Sequence, residues 1–244
     1  MSPQDCRDGF SGSVASASSR YNGTNIPRDV GTLMRVVPAL MMLFLAGCSG
    51  LVYNPAKDPD PLLARYDVES PKSPYQFITC SRPGCSETSV IRFSRREWKQ
   101  VVDLFTPPSE NAAEERRTIG RAIGLMERMV GSKNDTFADE ARNTLKLSYR
   151  SYQLACISES LNTTVFLELF QRQRLLRWHR VRYPGHRGIL NWEMPHNTAV
   201  VEQVDNGELY AIDSWFRANG EDAVVVPLIR WLNGYDPEAS PLRE

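Results

Sequence analysis

From Ile157 onward, apolar residues recur at Ile157, Leu161, Val165 and Leu169, and Phe166 and Phe170 widen the stripe. The spacing predicts an amphipathic helix with one buried face, opening at Cys156 and ending near Gln173. Upstream, Ser94-Arg95-Arg96-Glu97 has the spacing of a capping box. It opens a second predicted helix through Trp98, Val101, Val102 and Phe105, which Thr106-Pro107-Pro108-Ser109 breaks. Another helix is expected over residues 109–130, with Ile119, Ile123, Met126 and Val130 on one side, before a loop at residues 131–136. Val90-Ile91-Arg92-Phe93 reads as a short strand. The polar segment 137–151 allows at most a short helix through Leu145 and Leu147.

Beyond Gln173 the period changes from 3.6 to two. Residues 175–181 alternate as a strand does, and Tyr183-Pro184-Gly185-His186-Arg187-Gly188 reads as a loop. Strands are expected over residues 198–204 and 208–216. Asp205-Asn206-Gly207 joins them, because Asn-Gly accepts the positive φ of a tight hairpin turn. Asn219-Gly220 turns the chain again before Val224-Val225-Val226, and Trp231 falls in a closing helical turn. No internal repeat is visible. Helices first and antiparallel strands later predict an α+β fold.

The N-terminal part reads as an address rather than as structure. Ser11-Gly12-Ser13-Val14-Ala15-Ser16-Ala17-Ser18-Ser19 is small and polar, with no apolar face. Met34-Arg35 followed by a short apolar run and small residues has the make-up of a secretory signal. That run falls short of the roughly 20 residues needed to span a bilayer. Leu45-Ala46-Gly47-Cys48 resembles the lipobox of bacterial lipoproteins. The resemblance implies that Cys48 is diacylated and becomes the first residue of the mature protein, attached to the membrane through its lipid. Met34 then reads as the true start. Ser49 is not an acidic retention residue, so analogy with enteric bacteria implies the outer membrane, facing the periplasm. The resulting division is a leader at 1–33, a signal at 34–47, a Pro-rich lipidated tether at 48–72 and a folded domain at 73–244.

Composition adds little until the cysteines are counted. The 244 residues suffice for one ordinary domain with tails. With 29 basic and 29 acidic side chains, net charge gives no argument for a nucleic-acid partner. Of 5 cysteines, Cys6 lies in the leader and Cys48 at the lipobox. Cys80 and Cys85 flank a Pro-Gly turn and can close a small disulfide loop in an oxidising compartment. A pair alone has too few ligands for zinc. Cys156 remains. Its place at a helix N-terminus favours the thiolate, the reactive form of the side chain.

Two further residues stand out in chain order: His196, just before a strand in Met194-Pro195-His196-Asn197-Thr198, and Asp213, interrupting the apolar pattern of the next strand. A cysteine nucleophile needs an imidazole to take its proton and often a third group to orient that ring. Helix-Cys, strand-His and strand-Asp in this order resemble the transglutaminase-like, papain-like cysteine protease superfamily. The resemblance covers residues 153–216. Pro195-His196-Asn197-Thr198-Ala199-Val200-Val201 and Tyr210-Ala211-Ile212-Asp213-Ser214-Trp215 carry most of it. It implies a papain-like domain with Cys156 as nucleophile, His196 as general base and Asp213 as orienting group. The backbone N–H of Cys156, helped by the Gln153 side chain, would face the developing oxyanion. Asn197 stands where relatives commonly carry an aromatic residue.

The implied activity is hydrolysis or transamidation of an amide or peptide bond through a thioester, with no metal or organic cofactor. The rival reading is a non-catalytic envelope lipoprotein using the same fold for binding or assembly. Simpler roles stand beside each residue: a buried structural thiol at Cys156, a loop-capping His196, an edge-strand charge at Asp213. A zinc site drawing on His179, His186, Cys156 and His196 lacks any close-spaced ligand pair. One geometric condition remains. A two-residue turn at Asn206-Gly207 places Asp213 opposite Val200, four residues or about 13 Å from His196, so a bulge, a different turn register or a His held before the paired region must close the gap.

Overall fold

The computed structural model describes residues 53–55, 58–143, 153–188 and 195–238. Its elements in order are α1 (Asp60–Ala64), β1 (Phe77–Cys80), β2 (Thr88–Ile91), α2 (Arg95–Leu104) and α3 (Ala112–Asn134). They continue with α4 (Cys156–Arg172), β3 (His179–Arg187), β4 (His196–Gln203), β5 (Leu209–Asp213), β6 (Val224–Pro227) and α5 (Leu228–Leu232). Two antiparallel sheets form: β1 with β2, and a meander in the order β3-β4-β5-β6. The fold is α+β. The leader, the signal and Cys48 lie outside the described residues, as do Leu145 and Leu147. Among the described residues, no helix is long and apolar enough to cross a membrane.

Capping residues begin the helices where the sequence allows. In α2, Glu97 N–H donates to Ser94 Oγ at 3.2 Å and Ser94 N–H to Glu97 Oε2 at 2.7 Å, completing the box. Helix α3 starts after Asn111, whose Oδ1 accepts from Glu114 N–H at 2.9 Å. It continues through Gly131–Asn134, which pattern alone reads as loop. Gly131 serves close packing there, since a Cβ would meet the Phe137 backbone at 3.0 Å. The helix stops at Asp135, in the left-handed region with φ 64°.

Three further expectations are corrected. The tether reading to residue 72 fails at α1, which Pro61 tolerates because it lies in the first turn, where no backbone donor is needed. Leu62, Leu63 and Val68 are buried in the common core. Burial draws this segment into the domain before residue 73. The strand expected at 175–181 runs instead from His179 to Arg187 and takes in the expected loop around Pro184. The register shifts between Arg182 and Gly185 on this edge strand, and such an irregularity accommodates a proline. The strand expected at residues 90–93 begins at Thr88 instead, and pairs with β1, which periodicity did not reveal.

The largest correction concerns α4. It is not amphipathic in its setting: every residue from Cys156 to Phe170 is buried. Leu161, Val165 and Leu169 share the core with Val181, Ala199, Val201 and Ile212 of the sheet. The polar side chains are buried because other segments bond to them. Asn162 accepts from Cys80 N–H at 2.7 Å and donates to Cys80 C=O at 3.1 Å. Ser158 accepts from Cys85 N–H at 2.9 Å and donates to Arg82 C=O at 2.7 Å. The Cys80–Cys85 disulfide closes the short turn that these bonds hold against the helix. A polar face can be buried only when its groups are satisfied, and here they are.

Candidate active site

Strand register brings His196 and Asp213 together. The β4–β5 turn runs through Val204, Asp205, Asn206 and Gly207 rather than two residues alone. Gln203 N–H donates to Glu208 C=O at 2.8 Å, and Gly207 N–H to Gln203 C=O at 2.9 Å. Ala199 therefore pairs with Ile212 and Val200 with Ala211, and continuing that register sets Asp213 across from Thr198. The remaining offset to His196 is one diagonal step on the same face, a distance long side chains bridge. His196 Nε2–H donates to Asp213 Oδ2 at 2.7 Å. The carboxylate accepts, so Nε2 carries the proton and Nδ1 is the ring nitrogen left to serve as a base.

An aromatic cage surrounds this pair. The His196 ring centroid lies 4.4 Å from Trp215, 5.3 Å from Trp231 and 5.5 Å from Phe216. Trp231 also donates its indole N–H to Asp213 Oδ2 at 2.6 Å. In the sequence Trp231 falls in a closing helical turn, with nothing in its spacing to tie it to Asp213. The available signal was chemical: a buried indole needs an acceptor, and Asp213 is the carboxylate inside the final strands.

Cys156 is the first residue of α4. Ala155 before it is extended and supplies no side-chain cap. The thiol is outside any disulfide, and the residue is only 5% exposed. Its sulfur lies 3.8 Å from Pro195 C=O, and Asn197 Nδ2–H donates to it at 3.7 Å. The two chain neighbours of His196 thus both reach the sulfur. Asn197, noted in the sequence only as a departure from an aromatic residue, is a contact of the thiol.

Gln153 is fully buried, and its amide bridges to the loop beside it. Its Oε1 accepts from Glu140 N–H at 3.2 Å and its Nε2–H donates to Ala138 C=O at 3.0 Å. The same loop holds Leu154 from both sides, through Asp139 Oδ1 at 2.8 Å and Asn143 Nδ2 at 2.8 Å. The approach to Cys156 is therefore clamped. His179 is committed elsewhere, its Nδ1 lying 2.9 Å from Glu115 Oε1. His186 reaches Asn197 Oδ1 at 2.9 Å. Among the described residues, no group of three or more His, Cys, Asp or Glu side chains is arranged to hold a metal ion.

Acidic side chains are buried behind the site. Glu159, one turn into α4, accepts from Ser214 Oγ at 2.6 Å, and Thr163 bonds the same hydroxyl at 3.1 Å. Burial, and then the negative charge of Glu159, push Asp139 up to about 10. The same causes hold Glu127 well above the usual carboxylate range. A cavity of about 640 Å³ opens elsewhere, between α3 and β6, lined by residues including Arg116, Arg117, Arg121 and Asp222 and by none of Cys156, His196 and Asp213. Its lining offers no nucleophilic side chain beside a base. No family model, curated protein or solved structure matches the chain.

Proposed function

We propose that the chain is a thiol hydrolase or transamidase of papain-like, transglutaminase-like fold, acting on amide or peptide bonds. The His196–Asp213 hydrogen bond of 2.7 Å, with both neighbours of His196 against the Cys156 sulfur, is the observation that carries this reading. His196 Nδ1 takes the thiol proton and Asp213 stabilises the imidazolium. The sulfur attacks the carbonyl carbon, the amine leaves with that proton, and a thioester remains. Water then makes the enzyme a peptidase or amidase; an amine makes it a transamidase. The backbone N–H of Cys156 at the start of α4 faces the developing oxyanion. Gln153, tied to the Ala138–Glu140 loop, contributes there through its second amide hydrogen or else by holding Leu154 and Cys156 in place.

Within this proposal the protein is a lipoprotein anchored through Cys48 to the outer membrane and facing the periplasm. Peptides of the cell-wall polymer are its nearest candidate substrates. The second reading, a non-catalytic envelope module, is favoured by one observation, the 5% exposure of Cys156.

Alkylation of the exported full-length protein with iodoacetamide at neutral pH separates the two. The catalytic reading expects prompt modification of Cys156 that slows at least tenfold in His196→Ala, since a thiol that loses its base reverts toward its ordinary ionisation. Sluggish modification indifferent to His196 supports the binding module.

A further inference from the structure

We propose that Asn197 is a catalytic donor that stabilises the Cys156 thiolate, and that His186 is the positioning residue that fixes its amide. The inference rests on the assignment of Cys156 as nucleophile. The amide of Asn197 has two chemically distinct ends, and each faces its own partner. Oδ1 faces His186 Nδ1 at 2.9 Å, and Nδ2 faces the Cys156 sulfur at 3.7 Å. An amide oxygen only accepts, so the His186 ring donates from Nδ1. That bond leaves the amide nitrogen pointing at sulfur, where its hydrogen favours the anionic form over the thiol.

Backbone pairing holds the arrangement. His186 and Asn197 are direct partners in the β3–β4 ladder, one step from the Arg187–His196 pair. Asn197 is 4% exposed, so water competes little for its amide. The register shift at Pro184 lies between His186 and the earlier part of β3, and it sets which residues of β3 stand across from Asn197. The base and the donor are adjacent residues of β4. They act on one sulfur from two directions: His196 removes its proton, and Asn197 holds the charge that remains. The ionisable side chains on the segments around the thiol include His186 and Arg187 of β3, His196 of β4, Asp213 of β5, Glu159 of α4, and Glu127 and Asp139 behind them. Of these, His186 alone bonds the amide.

The test is the pH profile of Cys156 alkylation by iodoacetamide in the full-length protein, read by mass at the Cys156 peptide. Asn197→Ala is expected to raise the midpoint by about one pH unit and to slow labelling at pH 7 about tenfold. His186→Ala shifts the midpoint in the same direction by less, and His186→Gln, which still donates, restores part of it. A midpoint unchanged in Asn197→Ala overturns the proposal. Should that variant not fold, the near-isosteric Asn197→Asp replaces it. An anion facing the sulfur raises the midpoint further, and an unmoved midpoint again overturns the idea. His196→Ala, run in parallel, separates this inference from the proposed function. If it leaves labelling unaltered while Asn197→Ala shifts the profile, the general base is wrong and the donor stands. If His196→Ala slows labelling and Asn197→Ala does nothing, only the donor is wrong.

Discussion

Trp231 and Asp213 are joined by a hydrogen bond of 2.6 Å from the indole Nε1–H to Oδ2, the oxygen that also accepts from His196 at 2.7 Å. One carboxylate oxygen thus faces two donors, one in the short C-terminal helix and one in the sheet. Trp231 is fully buried, and its ring also packs 5.3 Å from that of His196. The helix that carries Trp231 therefore closes the core and fixes the carboxylate that bonds His196.

Trp231→Phe keeps an aromatic ring but removes the donor. The expected cost is about 1–3 kcal/mol in urea unfolding, from a lost bond to a charged group and from reduced volume. Cys156 alkylation at pH 7 is expected to slow about fivefold, because Asp213 regains freedom to leave His196. Unfolding stability that falls while labelling stays at the wild-type rate reduces Trp231 to a core filler.

Asn162→Ala tests whether the buried polar face of α4 is held by its partners. The change leaves both Cys80 N–H and Cys80 C=O without the side chain that satisfies them. A loss of about 2–4 kcal/mol follows from two buried backbone groups left unsatisfied. Urea denaturation with the disulfide intact measures it. A cost below about 0.5 kcal/mol, the scale of a surface change, means that water reaches the site.

Gly124→Ala sets local propensity against packing. Alanine favours a helix interior by about 1 kcal/mol over glycine. A Cβ at Gly124, however, meets Glu221 C=O at 2.5 Å and its carbonyl carbon at 2.8 Å. Both are backbone atoms with little room to yield, so a net loss of about 1–3 kcal/mol is expected. A thermal midpoint above that of wild type defeats the prediction.

Features written in nearest neighbours were legible in the sequence. Ser94 and Glu97 announced their capping box, and Asn206-Gly207 announced a turn between two strands. The α+β order and the helix beginning at Cys156 were legible for the same reason. What depends on distant partners was not. Ser158, Glu159 and Asn162 are polar, so the pattern gave α4 a solvent face; their partners lie on other segments. The hairpin was readable but its register was not, since Asn-Gly permits more than one loop length. Register alone decides whether Asp213 meets His196. Trp231 and Asn197 escaped because each bonds across elements to a residue that spacing does not predict.

The buried acids behind the site give a pH dependence of definite sign. Asp139 ionises near 3.8 in its ordinary state and only at about 10 in the folded protein, through burial and then the charge of Glu159. The folded state therefore keeps a proton that the unfolded chain releases. Stability from this group is complete below about pH 4 and is lost progressively as pH rises toward 10. Glu127 is shifted the same way and adds to the fall. Across the window each retained proton costs about 1.4 kcal/mol per pH unit. The quantity that isolates this group is the difference between wild type and Asp139→Asn. The amide still accepts from Leu154 N–H, the bond that Asp139 makes at 2.8 Å, but it has no proton to lose. Urea midpoints measured from pH 5 to pH 9 should fall more steeply for wild type than for Asp139→Asn, and the variant should be the more stable of the two at pH 9. Parallel curves would mean that Asp139 is already ionised in the fold. The clamp on Leu154, two residues before the thiol, would then be held by a full negative charge.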